Sequence, residues 1–149
     1  GQVDLLLLGT GQRMAQIDAL RTSHRHAAAH GRSPRPASDG NPSFAVLPRG
    51  LSAIICGDFN FKPTDTEHAL MTWTFADDTP ALVDAWLACH YDSDHDHTVG
   101  LHGCERPDSP YCCDFVFLSD DLLPHLRGVR VNPDTDASDP QPVVLELAE

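Results

Sequence analysis

The chain has 149 residues, 41% hydrophobic and 21% charged, which is typical of one globular domain. Its formal net charge of −12 excludes a general role in coating nucleic acid, because such a surface repels phosphate unless a bound cation reverses the local field. No apolar run approaches the roughly 20 residues that a membrane-spanning helix needs. The odd count of five cysteines, without a recognisable signal peptide, favours reduced thiols and a cytoplasmic location.

The first predicted elements are a strand and a helix. Residues 3–8 form an apolar run of strand length. Met14 and Ile17 then fall at helical spacing, and Gly31 is a plausible stop for that helix. Residues 32–43, which are rich in Pro, Ser and Gly, are predicted to form an exposed loop.

The middle of the chain predicts a second strand and a short helix. Residues 52–57 are a short apolar run between turn signals, which indicates a buried strand, central in its sheet. Thr64 and Glu67 have the spacing of a capping box, with Thr64 as N-cap, and predict a helix through Met71. Residues 80–87 are ambiguous between helix and strand.

Strands dominate the rest of the chain. Residues 91–97 are a polar loop, and the Phe and Val content of residues 114–119 predicts a strand. Residues 128–131 are a weaker strand and residues 142–147 a final one. The predicted class is therefore α/β or α+β with a mixed sheet.

Aspartates stand at the ends of three of these strands. Asp58 and Asn60 close the second strand and share one face of an extended backbone because they are two residues apart. Asp114 opens the strand that follows it, and Asp139 precedes the last strand. A convergent set of carboxylates is what a divalent cation requires. In a chain with 22 acidic residues, coincidental, solvent-facing aspartates are the alternative.

The order of these stretches resembles the endonuclease/exonuclease/phosphatase superfamily of metal-dependent phosphohydrolases. Its members carry a G-D-F/L-N strand end, a later D-Y/F strand and a terminal S-D-H-x-P-V stretch. The matching stretches are GDFN at 57–60, CDFVFLS at 113–119 and SDPQPV at 138–143. Arg13 and Gln16 also fit the R-x-x-Q helix that is common in the family.

The resemblance implies a fold as well as an activity. It implies half of a four-layer α/β sandwich, an α/β (α+β) fold in which helices flank a mixed, mostly antiparallel sheet. Residues 1–149 would then be a single, N-terminally truncated domain that corresponds to the C-terminal half of the family fold. The implied reaction is in-line attack of water on a phosphoester or phosphodiester, supported by Mg²⁺ or Mn²⁺. The substrate would be a nucleic acid or a small phosphodiester.

The resemblance also implies roles for single residues. Asp58 would orient or deprotonate the attacking water, and together with Asp139 it would hold the metal. Asn60 would hydrogen-bond the scissile phosphate, and Thr98 would lie near the substrate. Asp114 would orient the general-base histidine of the family.

Two features depart from the family pattern. Pro140 stands where the family has that histidine, and proline has no ionisable side chain. The family's first half, which supplies a metal-binding glutamate, has no counterpart here. Half a sandwich exposes a sheet face, so we expect self-association. A degenerate family member that binds phosphate or a partner without turnover is the alternative function.

A polar loop offers a second alternative, a metal-binding module without catalysis. Histidines, aspartates and a cysteine cluster there, with the composition of a Zn²⁺ or Ni²⁺ site, although a solvated loop explains the same composition. The aspartate spacing also resembles a calcium loop, without its glycine and glutamate. The residues are His90, His95, His97, His102, Asp92, Asp94, Asp96 and Cys104.

Overall fold

The structure of the protein is a computed structural model that describes residues 9–33, 50–91, 93–102, 107–135 and 139–149. The predicted strand at residues 3–8 and residues 34–43 of the predicted loop lie outside the described residues. None of the helices within the described ranges is long and apolar enough to cross a membrane.

The first described element is the long helix α1, Thr10–Arg32. The Gln12 side chain accepts a hydrogen bond from the backbone N–H of Gly9 at 3.1 Å and so satisfies an N-terminal donor. Ile17 and Ala28 lie on the buried face. The helical spacing is therefore confirmed, and the helix ends one residue beyond the predicted stop.

A three-stranded antiparallel sheet follows, built from β1 (Ile54–Asp58), β2 (Leu82–Asp84) and β3 (Asp114–Ser119). The strand order is β1–β3–β2, so both edges of β3 are paired. The strand predicted at residues 114–119 is confirmed and occupies the centre. The strand predicted at residues 52–57 is confirmed as β1, but its predicted burial is wrong, and β3 holds the central place in the described sheet. Within the described residues β1 is an edge strand, and its Ile54 is 46% exposed.

Two short helices flank the sheet. The ambiguous residues 80–87 divide between both states: β2 runs directly into α3, Ala85–His90, whose N-cap Asp84 accepts a hydrogen bond from the backbone of Trp86. Helix α2 spans Thr66–Met71 with Asp65 as N-cap.

The predicted capping box of α2 is wrong at both positions. The N-cap is Asp65 rather than Thr64, and the Glu67 carboxylate accepts from Arg13 on α1 at 2.8 and 2.9 Å. Glu67 is buried, and an ion pair with a guanidinium compensates a buried carboxylate better than one backbone N–H does.

The C-terminal part adds a 3₁₀ helix, Asp120–His125, and an antiparallel pair of strands, β4 (Leu126–Val131) and β5 (Val143–Leu147). The two late predicted strands are thus confirmed. All strand pairs in the described ranges are antiparallel. The protein therefore belongs to the α+β class, with helices and antiparallel sheets.

Alternation along β3 divides the core into two parts, because successive side chains point to opposite faces of a sheet. Phe115 and Phe117 pack in a cluster with residues of α1 and α2, whereas Val116 and Leu118 pack with residues of α3 and β4. This central strand therefore fixes the sheet between two apolar layers. Self-association through an exposed sheet face stays a prediction.

Candidate functional site

The candidate site lies where β1 ends and β3 begins. Asp58 and Asp114 are direct partners in the antiparallel register of these strands. The backbone N–H of Phe59 continues the ladder by donating to the carbonyl of Cys113 at 2.9 Å. Cβ atoms of directly opposed residues lie about 4.5–5.5 Å apart, so the fold brings these two carboxylates together.

The turn after β1 is shaped by Asp58. Its Oδ1 accepts a hydrogen bond from the backbone N–H of Asn60 at 2.8 Å. Asn60 adopts φ 54°, a left-handed conformation that asparagine tolerates better than most residues. The sequence Asp-Phe-Asn thus forms a local turn that holds one oxygen of Asp58 and presents the half-buried Asn60 beside it.

Asp114 has a hydroxyl partner in place of the expected imidazole. The Thr98 hydroxyl donates to Asp114 Oδ2 at 2.6 Å, and the Cys113 thiol lies 3.5 Å from the same oxygen. Burial raises the pKa of Asp114, and the nearby charges of Asp58 and Asp139 add to this, against the lowering effect of the two hydrogen bonds. The raised pKa of Asp114 therefore reflects mainly its burial, with smaller contributions from the two neighbouring carboxylates.

Thr98 has a different place from the one that the resemblance implies. It is fully buried. Its backbone N–H donates to the carbonyl of Tyr111 at 3.0 Å, and its carbonyl accepts from Gln141 at 2.6 Å. Thr98 therefore fixes Asp114 and joins three segments, and we correct its implied role from substrate contact to positioning.

Asp139 approaches the site from the loop before β5. Its Oδ1 accepts from the backbone N–H of Gly100 at 3.0 Å, and its side chain is exposed. The Asp139–Pro140 peptide bond is cis. The charge of Asp139 contributes to the raised pKa of Asp114, but Asp139 is not part of the group formed by Asp58, Cys113 and Asp114. Its role as a metal ligand stays a prediction.

The group of possible ligands around Asp58 and Asp114 adds a thiol that the sequence did not indicate. Ligand atoms of Asp58, Cys113 and Asp114 all lie within 4.8 Å of one another. Carboxylate oxygens fit Mg²⁺ or Mn²⁺, whereas a thiol prefers softer ions. Burial, followed by the charges of Asp114 and Asp58, raises the pKa of the Cys113 thiol, so without a metal it is protonated and neutral at pH 7. The two carboxylates are therefore the ligands that fit a hard divalent cation.

A groove of about 430 Å³ runs between α1 and β1 and reaches this site. Asp58 lies at its wall together with Arg13 and Gln16, the two residues of the R-x-x-Q pattern, and the remaining lining is mostly apolar. The guanidinium of Arg13 is paired with Glu67.

A second polar cluster is buried in the core, and the sequence predicted only one of its members. His68 and His95 each place Nε2 2.7 Å from the same oxygen of Asp84, Oδ2. Burial alone would raise the pKa of Asp84, but hydrogen bonds from the two imidazoles outweigh it and lower the pKa to about 2. The available signal was Asp84 itself, a carboxylate inside the otherwise apolar run of residues 80–87.

The histidines of the polar loop do not converge on one site. His90 Nε2 lies 2.9 Å from the carbonyl of Val129, and His102 Nε2 lies 2.9 Å from that of Pro133. His97 is exposed, whereas Asp92 and Cys104 lie outside the described residues. The predicted zinc or nickel module is thus not formed by the described part of this loop, and only His95 joins a possible ligand group.

Comparison with protein-family models, with curated proteins and with solved structures finds no match to this chain. The family resemblance therefore stays a prediction that rests on the motifs and on the geometry described above.

Proposed function

We propose that the protein hydrolyses a phosphoester or phosphodiester bond with the help of Mg²⁺ or Mn²⁺. The observation that carries this proposal is the pairing of Asp58 with Asp114 where β1 ends and β3 begins, with Asp139 near enough for its charge to raise the pKa of Asp114. Like charges brought together in this way cost free energy unless a cation compensates them.

Each residue of the site has its own role in the proposed reaction. Asp58 orients the attacking water, and its position is fixed by the turn through Asn60. The Asn60 amide is the donor for a phosphate oxygen. Thr98 holds Asp114 in register with Asp58. A cation bound by the carboxylates would neutralise charge on the phosphate and favour ionisation of water.

The site lacks a side chain that could act as general base for the attacking water. Pro140 cannot accept a proton, and the Thr98 hydroxyl that contacts Asp114 is not a base at neutral pH. The proton of the attacking water therefore passes to Asp58 or to solvent. Absence of a general base typically costs about 10²–10⁴-fold in rate. We expect slow turnover, and the acidic chain favours small phosphodiesters over long nucleic acid.

The test is hydrolysis of bis(p-nitrophenyl) phosphate by the full chain with Mg²⁺, with Mn²⁺ and without metal. Asp58→Asn and Asp114→Asn are the test variants. Asp120→Asn is the matched control, because this exposed aspartate lies at the opposite end of β3, about 20 Å from Asp114 at 3.3 Å per residue.

Metal-dependent turnover that is lost in both test variants and kept in the control supports the proposal. Turnover that survives in Asp58→Asn contradicts it. Metal binding without turnover in the wild-type protein favours the alternative, a family member that binds phosphate or a partner without hydrolysing it.

The thiols of Cys56, Cys89, Cys112 and Cys113 are free, which fits the cytoplasmic setting that we propose.

A further inference from the structure

The buried group of His68, Asp84 and His95 is separate from the carboxylate site. His68 comes from α2, Asp84 from the end of β2, and His95 from the segment after α3. Their side chains are only 9%, 3% and 5% exposed. One ligand atom from each residue lies within 4.8 Å of the others. Three elements are thus joined at one point in the core.

A divalent cation would compensate the buried carboxylate of this group. Asp84 is buried, and within the described residues the two imidazoles are its side-chain hydrogen-bond partners. The group therefore combines one carboxylate with two ring nitrogens and holds no fixed positive charge. Phe115 packs against both rings at centroid distances of 5.3 and 5.4 Å, and Trp86 stacks on His95 at 5.8 Å. A buried charge in such an apolar shell is costly unless it is paired, and a divalent ion compensates it more fully than neutral N–H groups do.

The geometry is close to that of a bound ion. Zinc lies about 2.0–2.2 Å from imidazole nitrogen and carboxylate oxygen, which puts neighbouring ligand atoms about 3.3 Å apart in a tetrahedral site. The present separations between Nε2 and Oδ2 are 2.7 Å, so each ring would retreat by about half an ångström. The proton on each Nε2 moves to Nδ1 through the solvent, so each neutral imidazole keeps one proton while its Nε2 lone pair binds the ion.

Two further features fit an ion at this position. Asp84 Oδ1 is held by the backbone N–H of Trp86 at 2.8 Å, the kind of outer contact that orients a metal-binding carboxylate. A cavity of about 10 Å³ adjoins Asp84 and His95 and is about the size of one water molecule. It provides the place for a fourth ligand, and it is too small for a substrate.

We propose that His68, Asp84 and His95 bind one divalent transition-metal ion of the zinc class, with a water as fourth ligand. Two imidazoles and one carboxylate select zinc-class ions over Mg²⁺ and Ca²⁺, which prefer all-oxygen sites. The ion ties α2 and β2 to the segment that continues to Thr98, three residues after His95. It therefore stabilises the fold next to the carboxylate site without taking part in hydrolysis, and this inference does not depend on the proposed function.

The experiment titrates the chelator-treated, full-length protein with Zn²⁺ by calorimetry and follows Co²⁺ binding by visible absorption. The test variants are His68→Gln and His95→Gln, because a glutamine amide still donates to Asp84 but is a poor metal ligand. His90→Gln is the matched control, since its Nε2 contacts a backbone carbonyl. Cys113→Ser removes the thiol from the other possible ligand group.

We expect one tightly bound ion per chain and a melting temperature that rises with Zn²⁺. Affinity should fall by at least about 100-fold in each test variant, beyond the ~10–100-fold typical of losing an outer-shell partner. The control and Cys113→Ser should keep the wild-type affinity. Wild-type affinity in both test variants, or loss of binding in Cys113→Ser, overturns the proposal.

A measurement on the wild-type protein covers the case in which a test variant does not fold. X-ray absorption at the zinc edge should show a nitrogen and oxygen shell with the scattering pattern of two imidazoles and no sulphur. A sulphur ligand would place the ion at Cys113 and overturn the proposal, as would failure of the wild-type protein to bind zinc.

Discussion

Replacing Thr98 with valine tests whether a buried hydroxyl substitutes for the family's histidine as the partner of Asp114. Valine keeps the volume of the side chain but removes the donor to Asp114 Oδ2 and the acceptor for the backbone N–H of Cys113. Thr98 is fully buried, so no water replaces either bond without rearrangement. A hydrogen bond to a charged group contributes about 1.5–3 kcal/mol, and we expect Thr98→Val to lower the unfolding free energy by about 2 kcal/mol.

The assay is a double-mutant cycle with Asp114→Asn, measured by urea unfolding at neutral pH. Because Thr98 and Asp114 are in direct contact, we expect a coupling free energy of about 1–2 kcal/mol. Thr72→Val is the matched control, since its hydroxyl makes only neutral contacts of 3.3 Å to backbone carbonyls. It should be additive with Asp114→Asn, within about 0.5 kcal/mol.

The same change should raise the pKa of Asp114 further, because the Thr98 hydrogen bond is one of the effects that lower it. A carbon-detected NMR titration of the Asp114 carboxyl group measures this directly. Coupling below about 0.5 kcal/mol together with an unchanged pKa would refute the idea that Thr98 positions and supports this carboxylate.

Two other predictions concern buried carboxylates. Arg13→Met leaves Glu67 unpaired at 5% side-chain exposure, and should cost about 3 kcal/mol in urea unfolding; adding Glu67→Leu should restore most of it, and an unchanged midpoint in the single variant would contradict the ion pair. The Asp84 pKa of about 2 lies below its ordinary value of 3.8, so its stabilising contribution is complete above about pH 4 and disappears as pH falls through 2. The metal-free protein should therefore lose about 2 kcal/mol over this interval. Asp84→Asn should lack that component; an identical acid profile in this variant would contradict the assignment.

The sequence was most informative where local pattern and burial agree. The Phe and Val content of residues 114–119 predicted β3, which is buried on both faces, and helical spacing predicted α1, which buries one face. The strand at residues 52–57 was predicted correctly, but its burial was not, because an apolar run does not reveal how far a strand is covered by its neighbours. Ile54 is exposed in β1 although its neighbours are equally apolar in sequence.

The capping box failed for a related reason. The glutamate of a Thr-x-x-Glu pattern can accept from a guanidinium instead of the N-cap backbone N–H. Here that guanidinium belongs to Arg13, which lies 54 positions before Glu67. An ion pair over that separation has no signature in the local sequence.

The candidate sites show the same division between local and long-range information. Asp58 and Asp114 are predictable because they stand at the ends of two strands that pair directly, whereas Asp139 lies in the loop before β5. His68 lies in a short helix, 16 positions before Asp84, and His95 lies 11 positions after it, in a loop whose polar sequence predicts exposure to solvent. Their contacts with Asp84 form only in the tertiary structure and have no signature in the local sequence.

Introducing histidine at position 140 tests whether the missing base limits the proposed hydrolysis. The residues on either side are held against one segment: Asp139 accepts from the backbone of Gly100, and Gln141 donates to the carbonyl of Thr98, whose hydroxyl contacts Asp114. An imidazole between these anchors therefore enters the neighbourhood of the carboxylates, where Asp114 can fix its tautomer.

General-base catalysis contributes about 10²–10⁴-fold, so we expect Pro140→His to raise Mg²⁺- or Mn²⁺-dependent turnover of bis(p-nitrophenyl) phosphate by at least about 100-fold. A pH–rate profile should gain an inflection near the ordinary histidine pKa of about 6.5, and Pro140→Asn, which has no base, should gain neither. If the folded, metal-binding histidine variant turns over no faster than Pro140→Asn, the site lacks the family's proton-transfer geometry, and the binding-only alternative becomes the better account of this protein.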